Sequence, residues 1–179
     1  MSKRPNIIIF NPDQMRTDAL AHMGNLASLT PFLDEFAQTD AVSFRRAFCQ
    51  NTVCVPSRCS FLTGLYPHVH GHRTMAYLLR PGEPSLFSEL KEAGYHVWMN
   101  GRNDLVAGQY PGLVDSHADE IFYYDENTQP APRSRHHDEK FPYSHYVGRT
   151  ASPEFGDDDD VNAAIRRILN PINDKPLCL

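Results

Sequence analysis

The stretch richest in chemistry is Cys54-Val55-Pro56-Ser57-Arg58. Proline favours the first turn of a helix, where backbone N–H groups have no intrahelical acceptor. A cysteine just ahead of such a turn presents its side chain to those donors, and the same donors attract an anion. Arg58, one turn along, adds a fixed cation whose planar fork matches two oxygens of a sulfate or phosphate. The pentapeptide therefore reads as an anion site with a nucleophile in it. A buried thiol beside an ordinary surface arginine fits the same residues equally well.

Other polar residues fall where an α/β sheet would present them. Residues 6–11 (Asn-Ile-Ile-Ile-Phe-Asn) are a short apolar run rich in β-branched side chains, the pattern of a buried parallel strand. Asp13 follows at its carboxyl end, where open α/β sheets bind ligands. Residues 96–100 form a second such strand and deliver Arg102, Asn103 and Asp104 just past its end. His68, His70 and His72 would share one face of a strand, and with Cys49, Cys54 and Cys59 they suggest zinc. The five-residue cysteine spacing and Gly71 argue instead for a surface loop with one functional histidine. His136-His137 reads as solvated.

The elements that must position these groups alternate between strand and helix. Thr30-Pro31 has the chemistry of a helix start, with Phe32, Leu33, Phe36 and Ala37 as its core face. Residues 42–48 alternate weakly and suggest a strand. Pro56 opens a helix that Gly64 ends, and Ser85 caps another, over Leu86, Leu90 and Ala93, that Gly94 stops. Residues 121–124 are a further strand. From 125 to 160 the chain is polar and aperiodic, too long for an ordinary connection. The acidic run 157–160 suits a helix N-terminus, and Val161, Ala164, Ile165, Ile168 and Leu169 follow as its apolar face. Lone Trp98 is assigned to the core. Residues 175–179 look like the beginning of a strand. This alternation indicates an α/β sandwich.

Composition narrows the partners. The 179 residues suit one domain with a real core, and the net charge of -5 argues against a nucleic-acid or anionic-membrane partner. No apolar run approaches the roughly 18 to 20 residues of a membrane helix. Met1-Ser-Lys-Arg leads directly into Pro5 with no secretory pattern, so a cytoplasmic protein with reduced thiols is expected.

Cys54-x-Pro56-x-Arg58, with Ser57, resembles the signature of the formylglycine-dependent sulfatases of the alkaline-phosphatase-like superfamily, whose cysteine is oxidised to formylglycine after synthesis. Phe61-Leu62-Thr63-Gly64, residues 6–13, Tyr66-Pro67, His70-Gly71, Gly94-Tyr95 and Gly101-Arg102 extend the resemblance over nearly the whole chain, in the family's order. It implies an α/β sandwich with a mostly parallel central sheet, of which residues 1–179 would be the N-terminal part and 125–160 a polar excursion. Asp13 and position 54 would hold a divalent metal, Ca2+ first, with Mg2+ or Mn2+ as alternatives. Cys54, Arg58, Arg102 and His70 would form the catalytic group. One hydroxyl of the hydrated aldehyde would attack sulfur, and the second would collapse to the aldehyde and expel sulfate. The implied partners are a sulfated small molecule or glycan, a formylglycine-generating maturation enzyme, and a missing C-terminal part carrying the remaining ligands. The isolated chain is expected to lack turnover.

Two departures keep other readings open. Many sulfatases have Asp-Asp where this chain has Asp13-Gln14, a pair familiar from phosphonate monoester hydrolases as well. The family's second signature has Gly-Lys and then a histidine, where this chain has Gly101-Arg102-Asn103-Asp104. The alternatives are a phosphonate monoester or phosphodiester hydrolase on the same scaffold, and a catalytically degenerate binding domain.

Overall fold

Three parallel strands organise the protein. The computed structural model describes residues 4–101, 103–123 and 158–179. Strand β1 (His96–Asn100) lies between β2 (Glu120–Phe122) and β3 (Leu177–Cys178). Trp98 pairs with Glu120 and His96 with Leu177, both in parallel register. Val97, Trp98 and Met99 are all buried, as expected of a strand covered on both faces. The closing residues of the chain thus form an inner strand, bonded to β1 on one side and to residues 7–9 on the other. Ile7 and Ile9 donate to the carbonyls of Leu177 and Leu179 at 2.8 and 2.7 Å, and Leu179 donates back to Ile7 at 2.9 Å.

Residues 6–11 are therefore extended and parallel, as expected, but they are not a buried strand. Ile7 and Ile9 pack against the core, while Ile8 and Phe10 are 55% and 73% exposed. The alternation follows from an edge position: one face lies on the core and no described element covers the other.

Helices cover both faces of the sheet. On one side, Val55, Cys59 and Leu62 of α2 (Cys54–Thr63), Phe87 of α4 (Leu86–Glu92) and Leu113 of α5 (Leu113–His117) pack with Val97, Met99 and Cys178. On the other, Ala163 of α6 (Asp158–Leu169) packs on Trp98 and Leu177. Residues Pro31–Thr39 (α1) and Pro67–His70 (α3) complete the helices of four or more residues among those described. Trp98 is a core residue, as its isolation in the sequence suggested.

Three local expectations fail for physical reasons. Residues 42–48 make no strand: a turn at Arg45 and Arg46 interrupts them, and Val42, Phe44 and Phe48 are exposed. Helix α1 starts at Pro31, but Thr30 spends its hydroxyl elsewhere, accepting from Ala21 N and donating to Asp34. Its Phe32, Leu33 and Phe36 face solvent, with the two phenylalanine rings stacked on each other. Helix α6 touches the sheet through the small Ala163 and Ala164, the latter as expected, and through Arg167, which donates to Glu120 at 2.6 Å. Its larger Val161, Ile165, Ile168 and Leu169 are exposed. Asp158, Asp159 and Asp160 occupy its first turn, where the helix dipole favours them. The 125–160 stretch and His136-His137 otherwise lie outside the described residues.

Ser85 caps α4 as expected, in a reciprocal box with Ser88, and its hydroxyl also meets buried His117 Nδ1 at 2.7 Å. Burial, aided by the charge of Lys91, holds the His117 imidazole below its ordinary pKa. The unfolded chain therefore takes up this proton first, so the stability contributed by neutral His117 is present above about pH 6.5 and declines as the pH falls below it. Thermal unfolding should show a lower midpoint at pH 5.5 than at pH 7.5, and His117→Gln should flatten that dependence. An equal slope in the variant would remove His117 from the account.

Candidate active site

Parallel register decides where the polar residues emerge. Residues 6–9, β3 and β1 run in the same direction, so the chain leaves residues 6–11 toward Asp13 and leaves β1 toward Asp104 at the same, carboxyl, edge of the sheet. Helix α2 packs against that sheet through Val55 and Cys59 and brings its first turn there. Cys54 and Arg58 are four residues apart and so share one face of the helix.

The four side chains meet. Cys54 Sγ donates to Asp13 Oδ1 at 3.3 Å. Arg58 Nη2 donates to the same oxygen at 3.2 Å and stands 3.7 Å from Asp104 Oδ2. Its Nη1 donates to the backbone carbonyl of Asn103 at 3.1 Å. The Arg58 side chain is 14% exposed, and those of Asp13 and Asp104 are 26% and 22%. A guanidinium this enclosed, shared by two carboxylates, is a fixed electrostatic feature rather than a solvated surface charge. Removing one member of such a pair commonly costs about 3 to 5 kcal/mol where burial is full, and less here in proportion to the exposure.

Helix α2 starts two residues earlier than the position of Pro56 suggested. Val53 is the cap, Cys54 is the first helical residue and Pro56 is the third. The shift arises because Asn51 Oδ1 accepts from Val53 N at 2.9 Å, turning the chain before the helix. Cys54 thereby sits within the first turn, among its unpaired donors.

The loop carrying Asp104 is held from both sides. Asn103 Oδ1 accepts from the N–H groups of Leu105 and Val106 at 2.8 and 2.7 Å. Leu105 is fully buried and its carbonyl accepts from Leu79 N at 2.8 Å. Gly101 begins the turn; a Cβ there would come within 2.8 Å of the Phe122 carbonyl oxygen. Asp104 has φ +50° and Gln14, beside Asp13, has φ +57°. Non-glycine residues rarely adopt this conformation, and they concentrate at functional sites.

Hydrogen bonding to Asp13 raises the Cys54 thiol above its ordinary pKa, aided by burial and the two carboxylates and opposed by Arg58. An unmodified Cys54 is thus held as a thiol, a weak nucleophile. Asp13, Cys54 and Asp104 each offer one ligand atom, all within 4.8 Å of one another. The two carboxylate oxygens are donors that a hard dication accepts, and with the oxygen that the resemblance implies at position 54 the group would fit a metal of that class.

Of the residues singled out in the sequence, Asp13, Cys54 and Arg58 come together. Arg102 lies outside the described residues. His70 is elsewhere: its Nδ1 meets Glu83 Oε1 at 2.9 Å and its carbonyl accepts from Arg80. Asp104 enters as a member of the group that comparison with the family's histidine had set aside. Its signal was present, since it follows β1 as Asp13 follows residues 6–11. No helix among the described residues is long and apolar enough to cross a membrane.

The sequence model of the sulfatase family matches residues 5–179. The chain belongs to the sulfatase family. An arylsulfatase from Clostridium perfringens is 36% identical over 102 residues, 55% of this chain and 21% of that protein. A structure solved in complex with its substrate D-glucosamine-2-N,6-O-disulfate superposes on 98% of this chain and 33% of its own, with a TM-score of 0.71 and 24% identity. The phosphonate monoester hydrolase of Agrobacterium radiobacter superposes with a TM-score of 0.66 and 21% identity, over 98% of this chain and 40% of its own. The α/β sandwich expected from the sequence is thus the sulfatase fold. The chain spans about a fifth of the length of that arylsulfatase.

The site geometry generates a direct test of Asp104. In the full-length protein Asp104→Asn should weaken binding of added Ca2+ by at least about 10-fold, measured by calorimetry on protein with a native circular dichroism spectrum. Unchanged affinity would make Asp104 a partner of Arg58 and nothing more.

Proposed function

We propose that the protein to which this chain belongs is a sulfuric-ester hydrolase, with position 54 as formylglycine. Membership of the sulfatase family supports the reaction class. The observation that carries the assignment to these residues is the meeting of Asp13, Cys54, Arg58 and Asp104 at one sheet edge. In the mature residue an oxygen takes the place of Cys54 Sγ.

Asp13, Asp104 and position 54 would hold the divalent ion, Ca2+ first because all the donors are hard oxygens, with Mg2+ or Mn2+ as alternatives. Such an ion, when bound, polarises sulfate oxygens and favours the charge that develops as the ester breaks. Asp13 Oδ1 accepts a hydrogen bond from position 54 and fixes where that residue points. Arg58 sits between the two carboxylates, limits their mutual repulsion, and is near enough to stabilise negative charge developing at position 54. Arg102 supplies a second cation for the sulfate oxygens. The substrate is a sulfated small molecule or glycan, and the mature residue depends on a formylglycine-generating enzyme. The residual ligands belong to the part of the protein beyond this chain, so turnover is a property of the whole molecule.

Hydrolysis of a phosphonate monoester is the second reading, favoured by Asp13-Gln14 and by the likeness to the Agrobacterium radiobacter fold. Initial rates of the mature full-length protein on an aryl sulfate and an aryl phosphonate separate the two. The sulfate should be the better substrate by kcat/KM; the reverse order would establish the second reading instead. On the better substrate Arg102→Ala should lower kcat by about 10²-fold to 10³-fold, and Arg102→Lys should recover part of the loss, because the charge survives while the fork does not. Parent rates in folded, modified Arg102→Ala would strike Arg102 from the site.

A further inference from the structure

A second group of ligating side chains lies apart from Cys54. His72 is 4% exposed. Its Nδ1 meets the Tyr77 carbonyl at 2.7 Å, and a carbonyl oxygen only accepts, so Nδ1 carries a hydrogen. That leaves Nε2 as the other face of the ring. This atom is buried and has no aligned hydrogen-bond partner, although Glu83 Oε2 lies 3.3 Å away. A buried ring nitrogen is thus left without a hydrogen-bond partner beside a carboxylate oxygen, and a cation held by both would satisfy it.

The other side of the same carboxylate meets His70 Nδ1 at 2.9 Å. Ligand atoms of His70, His72 and Glu83 lie within 4.8 Å of one another. Two imidazole nitrogens and a carboxylate oxygen are ligands of the kind that zinc takes in three-ligand sites. The surroundings match those of a metal centre as well. Tyr77 O fixes the His72 tautomer from behind, and Arg80 donates to Glu83 from its guanidinium at 2.8 Å and from its backbone at 2.7 Å, orienting the carboxylate. His70 and His72 line an open cleft of about 270 Å³ that also includes Tyr77 and Tyr110, which gives an ion a way in and leaves room for water as a fourth ligand.

We propose that His70, His72 and Glu83 form a zinc site, separate from the catalytic centre, with one coordination position open to the cleft. Two imidazoles and one carboxylate select zinc over calcium, which prefers oxygen donors alone. The site uses neither His68, whose ring stacks on Tyr66, nor any cysteine, so it is not the histidine and cysteine cluster that the sequence suggested.

Cobalt(II) is the probe, since it occupies zinc sites and a four-coordinate site gives it strong visible absorption. The full-length protein carrying Cys54→Ala, which removes the thiol of the first group, should bind one equivalent with those bands, and zinc should displace it. Adding His70→Asn should weaken cobalt binding by at least about 10-fold, and Glu83→Gln should do the same. His70 is 38% exposed at its side chain, so His70→Asn is expected to fold, and this arm decides if Glu83→Gln does not. Absence of the bands from the Cys54→Ala protein, or equal affinity after His70→Asn, would overturn the proposal and leave an ion-paired cluster.

Discussion

Arg58 is the charge on which the arrangement depends. Its guanidinium reaches Asp13 from one loop, Asp104 from another, and the carbonyl of Asn103 between them. Without a cation there, two carboxylates and the first turn of α2 would have to share a largely enclosed space, and like charges at this range separate or take up protons. The same guanidinium is anchored by its helix to Val55 and Cys59, both about 1% exposed in the core. Core packing and site geometry are thus coupled through Val55, Arg58 and Cys59 of one helix.

That coupling works because the sheet is parallel. Residues 6–9, β3 and β1 deliver both acidic loops to one edge, and α2 fills the space they leave. The chain stores backbone strain at Gln14 and Asp104, and the structure compensates with the Asn103 turn, the buried Leu105 and the close approach at Gly101. Strain supported in this way is typical of positions held for chemistry. The exposed faces of α1 and of residues 42–48 carry no such support among the described residues.

The sequence made much of this legible. The apolar runs at 6–11 and 96–100, the Ser85 cap and the Cys54 pentapeptide are local patterns, and local patterns transmit periodicity and capping directly. Burial was harder to read. The apolar stripes of α1 and α6 have helical spacing, yet Phe32, Phe36, Ile165 and Leu169 are exposed, because periodicity says which residues share a face and not what covers it. Within the site, Asp13, Cys54 and Arg58 were nominated from strand ends and a helix start. Asp104 was noted just past β1 but left out of the group, because it stands where the family has a histidine. Glu83 carried no sequence signal, since it reaches His70 and His72 only through the turn near Arg80.

The account rests on what position 54 is in the mature protein. Mass spectrometry of the peptide spanning residues 54–58, from protein produced with a maturation system proven on another sulfatase, reads this directly. Formylglycine at position 54, with the cysteine sulfur replaced by oxygen, is the predicted result. Unmodified cysteine throughout, in folded protein from that system, would contradict the account and leave Cys54 a thiol hydrogen-bonded to Asp13.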